Sequence, residues 1–164
     1  MGERFWVTLS IGGDCTPEVR DELARLIEEQ GPEDGFDPDE EDLTGPDTDG
    51  VISVQFPECN YADLGALEVF LKEHRLPYHK IVDGKSGFDT IILWPLYDRD
   101  DDIMGDCYAD TDHRPLINGL RVLEMLQDPY TPRADITKWV TDQLPPFLPS
   151  FRVIPKETDN ADAV

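Results

Sequence analysis

The sequence predicts an α+β fold: one mixed or antiparallel sheet covered by helices, in ferredoxin-like order with extra C-terminal helices. Three observations point there. Short stretches in which apolar residues alternate with polar ones are interleaved with stretches at helical spacing. A hairpin pattern follows the second helical stretch. The 164 residues are enough to bury one core without disulfides, and no repeat of 20–50 residues suggests a solenoid.

"RFWVTLSI" (Arg4–Ile11) alternates Phe5, Val7, Leu9 and Ile11 with Trp6, Thr8 and Ser10, the pattern of a half-buried strand. "CTPEVRDELARLIEEQG" then reads as a helix. Thr16 is its N-cap, Pro17 opens the first turn, Gly31 stops it, and Val19, Leu23, Leu26 and Ile27 share one face. "GVISVQF" (Gly50–Phe56) is a second strand. "YADLGALEVFLKEHRLP" is a second helix with Asp63 as a cap, turning Leu64, Leu67, Phe70 and Leu71 inward and ending at Pro77.

Tyr78–Val82 and Asp89–Trp94 form a hairpin through "DGKSG". "RPLINGLRVLEMLQD" is expected to be a helix burying Leu116, Leu120 and Leu123. "TPRADITKWVTDQL" is another, with Thr131–Pro132 repeating the entry signal of Thr16–Pro17 and a stripe of Ile136, Trp139, Val140 and Leu144. "SFRVI" suits a last edge strand. We expect a single domain over residues 1–155, with an acidic loop at 31–50 and a frayed tail at 156–164.

The net charge of −22 is concentrated. Residues 28–49 and 98–112 together hold eighteen acids and one base, Arg99, whereas the other 127 residues carry only −5. Such a chain is repelled by nucleic acid and anionic membranes and is drawn to basic proteins, polyamines or cations. Asp outnumbers Glu 23 to 13, and Lys is scarce, a balance similar to that of extreme halophiles. A halophile's acids, however, spread over the whole surface, and here the excess is local.

Several chemistries lack their residues. "VDGKSG" has His79 where a phosphate loop needs Gly, and a β-branched run follows it instead of a helix. Calcium loops starting at Asp37 or Asp98 have Asp42 or Ile103 at the obligatory glycine, and Thr48 or Ala109 at the closing glutamate. There is no GxSxG elbow, and Cys15, Cys59 and Cys107 are too widely spaced for a zinc knuckle or a disulfide framework. Cys107 with His113, or a serine with His74 or His79, forms a nucleophilic pair only if the fold makes them neighbours. Cys15, at the start of a helix, occupies a position that can lower a thiol's pKa. No cofactor, signal segment, myristoylation signal or membrane span is expected.

What remains is a surface. Duplex DNA carries one charge per ~1.7 Å, so the −17 of the two acidic segments matches ~29 Å of duplex. In size and composition alone, the chain resembles small acidic α+β inhibitors of restriction and CRISPR systems, and immunity proteins that neutralise nuclease toxins. The expected function is therefore a non-enzymatic, cytoplasmic protein that occupies the basic, nucleic-acid-binding surface of another protein. The expected contact residues are Asp37, Asp39, Glu40, Glu41, Asp42, Asp100, Asp101, Asp102 and Asp106, with Phe36, Tyr97 and Tyr108 as aromatic anchors. A calcium-binding protein, a small enzyme and a salt-adapted domain are the alternatives.

Overall fold

The computed structural model describes residues 4–34, 50–84, 89–97 and 104–154. Strand β1 (Arg4–Ile11) is followed by β2 (Asp14–Cys15), helix α1 (Pro17–Gln30), β3 (Ile52–Asn60) and α2 (Ala66–Glu73). Then come β4 (Tyr78–Val82), β5 (Thr90–Pro95), β6 (Met104–Ala109), α3 (Gly119–Gln127), α4 (Arg133–Asp142) and β7 (Arg152–Val153). The α+β class stands. The main sheet is antiparallel throughout, in the order β3-β1-β4-β5-β6, and β2 pairs with β7 in a separate parallel ribbon.

Local chemistry explains the helices. The Thr16 hydroxyl accepts the Val19 N–H at 3.4 Å, and Gly31, at φ 77°, closes α1 by donating to the Glu28 carbonyl. Asp63 accepts the Gly65 N–H at 2.8 Å, just ahead of α2. One face of the sheet then buries Val7, Leu9, Ile11, Ile52, Val54, Phe56 and Tyr78 with Leu23, Leu26 and Ile27 of α1. Leu64, Leu67 and Leu71 complete that core. Strand alternation puts Ile92, Trp94, Cys107 and Ala109 together in a second, smaller cluster on the other face.

The segment 144–154 closes the fold against the turn after β1. Gly13 donates to the Pro149 carbonyl, Arg152 to Gly13, and Ile154 to Cys15. Gly12 permits this approach, because a Cβ there would stand 2.1 Å from the Pro149 oxygen. "SFRVI" is thus a strand pair with β2 and does not join an edge of the main sheet.

Within the second acidic segment Met104–Ala109 forms the edge strand β6, paired with β5, an element that the sequence pattern does not announce. Three other expectations are corrected. The third helix starts only at Gly119, where Asn118 caps it by accepting the Arg121 N–H, because Pro115 is held in a bridge to Ala109. Leu116, Leu120 and Leu123 are exposed, since α3 packs against α4 and brings no buried residue of its own. Thr131 does not repeat the role of Thr16. Its hydroxyl donates to Asp128 at 2.6 Å, and Pro132, at the N-cap of α4, supplies no side-chain cap. Of the α4 stripe, Ile136 is buried and Trp139 and Val140 are half-buried, whereas Leu144, also half-buried, lies past the end of the helix. Most of the expected acidic loop, and the expected tail, lie outside the described residues.

Candidate partner-binding surface

The surface begins with where the sheet places the ends of the acidic segments. Ile52 opens β3 opposite Ile11, the last residue of β1, which also faces Tyr78 at the start of β4. Pro95 ends β5 opposite Met104, the first residue of β6. All these residues lie at one end of the sheet. The chain of residues 35–49 returns to the fold at Gly50, beside β3, and residues 98–103 join Tyr97 to Met104. The two points of attachment are therefore on one end, on the two outermost strands, four strand spacings or ~19 Å apart. The first segment departs from the outer side of β3, where the Glu33 N–H donates to the Gln55 carbonyl at 2.9 Å.

Of the twelve expected contact residues, Phe36, Asp37, Asp39, Glu40, Glu41, Asp42, Asp100, Asp101 and Asp102 lie outside the described residues. The other three are placed. Asp106 and Tyr108 alternate along β6 and are exposed, Tyr108 by 57%. Tyr97 is half-buried and works within the fold. Its hydroxyl bridges the Leu71 and Leu76 carbonyls at 3.0 and 2.8 Å, and the Arg75 guanidinium lies over its ring while donating to its carbonyl. Beyond β6, the Asp110 carboxylate accepts the Asp112 and Arg114 N–H groups, both at 2.9 Å, and shapes the turn at the opposite end of the strand.

Beside β6 lies a cleft of about 620 Å³. Trp94 and Gly105 lie on one side of it, residues 141–147 at the end of α4 on the other, and Asp106 is at its margin. His79 neighbours the same segment. Burial pushes its imidazole below the ordinary value, a hydrogen bond to the Pro146 carbonyl partly offsets this, and Nε2 is enclosed without a partner. The ring is thus neutral in the fold at pH values where the unfolded chain protonates it, below ~6.5. Its contribution to stability is complete above that value and is lost as the pH falls towards the depressed native pKa. Urea unfolding at pH 7 and pH 5 should show a larger loss in the wild type than in His79→Leu; equal losses would refute the assignment.

The nucleophile pairings find no support. Burial pushes the thiols of Cys15, Cys59 and Cys107 up, so each stays protonated at neutral pH; the helix start does not activate Cys15. His113 meets Asp83, at 2.6 Å. The described residues contain no group of three or more His, Cys, Asp or Glu able to hold a metal ion, and no helix among them is long and apolar enough to cross a membrane.

One polar cluster escapes the sequence reading. Lys80 lies on the core face of β4, only 8% exposed, and its Nζ donates to Glu68 of α2 at 2.7 Å and to the Ala62 carbonyl at 3.3 Å. Glu68 also accepts the Leu64 N–H, which ties the start of α2 to the pair. Burial, then the Glu68 charge, raises the neighbouring Tyr78 phenol well above its usual range. Period two from Tyr78 was the available signal, since it sets Lys80 on the buried side.

No family model matches the chain, and neither a curated protein nor a solved structure shows significant similarity to it.

Proposed function

We propose that the protein is a non-enzymatic, cytoplasmic inhibitor that occupies the basic surface with which another protein binds nucleic acid. What supports this reading is the shared end of the sheet. Residues 35–49 and 98–103, which together carry −10 of the net charge, attach within ~19 Å of each other, close to the ~17 Å of duplex that the same charge represents. Their carboxylates then act as a group. Single exposed charges contribute little, but a concentrated field steers a basic partner and competes for its Lys and Arg. Asp106 and Tyr108, on the strand that continues from the second segment, extend the contact.

The test uses the full chain as bait at low salt. It should capture nucleic-acid-binding proteins that short duplex DNA displaces and raised salt releases. Replacing Asp37, Asp39, Glu40, Glu41, Asp42 and Asp100–Asp102 with their amides should weaken capture at least about tenfold. Partners indifferent to that change, or to duplex competitor, remove the proposal.

A further inference from the structure

Helix α3 has a strongly amphipathic sequence, yet α4 covers only part of its apolar arc. Val122 and Met125 are half-buried, while Leu120, Leu123 and Leu126 are 75%, 49% and 61% exposed on the adjoining arc. Leu116 before the helix and Tyr130 after it are also bare. The three leucines of α3 alone present an apolar surface on the order of 300 Å², within the range of the largest patch a monomer leaves uncovered. An apolar arc of this width on a surface helix ordinarily faces a core.

Charge selects what covers it. Residues 114–144 hold four bases (Arg114, Arg121, Arg133, Lys138) and four acids (Glu124, Asp128, Asp135, Asp142), a neutral region in a chain of −22. A basic partner drawn to the acidic segments would meet Arg114 and Arg121 here. A second copy approaching on an acidic face would be strongly repelled, whereas this face adds no local repulsion to that between the net charges of the two chains. The rim is also charge-compensated. Arg121 and Glu124 lie one turn apart and pair with each other at 3.2 Å. Two α3 helices packed about a two-fold axis on Leu120 and Leu123 therefore bring no net charge together at this rim.

We propose that this face is the isologous interface of a homodimer, with Leu120 and Leu123 at its centre. An interface of this area lies below the ~800 Å² per partner of a standard one, so the dimer is of micromolar strength. Sedimentation equilibrium of the full chain should show monomer at about 1 µM and mostly dimer at about 100 µM. Raising NaCl from ~0.1 to ~0.5 M should strengthen the dimer, because screening removes repulsion between net-negative chains while the apolar contact persists. This is opposite in sign to the salt effect on the acidic surface, so the two proposals fail separately. Leu120→Ser/Leu123→Ser, at exposed positions, should be monomeric throughout with an unchanged far-ultraviolet circular dichroism spectrum. A wild type that stays monomeric at ~100 µM in high salt, or a dimer that survives the double substitution, overturns the inference. So does a monomer that uses Leu120 and Leu123 to bind a different protein.

Discussion

Replacing Glu68 with alanine should destabilise the protein by about 3–5 kcal/mol, read as a lower urea midpoint at unchanged m-value. The expected size follows from what is left behind. Lys80 is nearly enclosed between β4 and α2, and without Glu68 its ammonium keeps only the Ala62 carbonyl. The Leu64 N–H, at the entry to α2, loses its acceptor in the same step. Replacing both partners separates the cost of an orphaned charge from the worth of the pair. Glu68→Leu/Lys80→Met removes two charges that had to be desolvated and fills similar volume, so it should recover most of the loss. A single variant as stable as wild type would mean that water reaches Lys80 in solution. A double variant as unstable as the single one would mean that the ion pair itself holds α2 in place.

Gly105→Ala should cost about 3 kcal/mol, although it adds one methyl group to a strand. Gly105 stands directly across from Trp94 in the β5–β6 pairing, and a Cβ on it would lie 2.3 Å from the indole Nε1 and Cε2 atoms. Trp94 is 4% exposed and belongs to the Ile92–Cys107–Ala109 cluster, so making room for the methyl means displacing a rigid, packed ring. Tryptophan fluorescence and urea unfolding of the variant measure both effects. In a Trp94→Leu background the same substitution should cost much less, giving a coupling energy of roughly 2 kcal/mol in a double-mutant cycle. Additive losses would show that the indole and Gly105 are not in contact.

Elements defined by their own residues are legible in the sequence. Thr16, Pro17 and Gly31 delimit α1 through local hydrogen bonds and backbone angles, and the alternation of Val7, Leu9 and Ile11 needs only a core on one side. Elements defined by their neighbours are not. "MGDCYA" contains a glycine and an aspartate, both poor strand residues, and becomes β6 because β5 offers it an edge and Trp94 demands a residue without a side chain. The stripe of α3 is correctly read as apolar, but amphipathicity does not say whether the covering surface belongs to the same chain. The ion pair of Lys80 is hidden for a similar reason, as its partner is twelve residues away on another element. For the acidic surface, the charge and its two segments are plain in the sequence, whereas their attachment to one end of the sheet depends on strand order, which periodicity does not encode.

Strand β6 has a consequence for handling the protein at high concentration. A border strand offers bare amides and carbonyls to any extended peptide and can template fibres. Over its last residues this hazard is closed off: Pro115, which has no amide hydrogen, bridges to Ala109, and the Leu116 N–H fills the Tyr108 carbonyl. The first residues have no such cover from that stretch, and there the exposed Asp106 supplies an electrostatic gatekeeper against stacking. Removing that charge with Asp106→Asn would leave the open part of this edge without a gatekeeper.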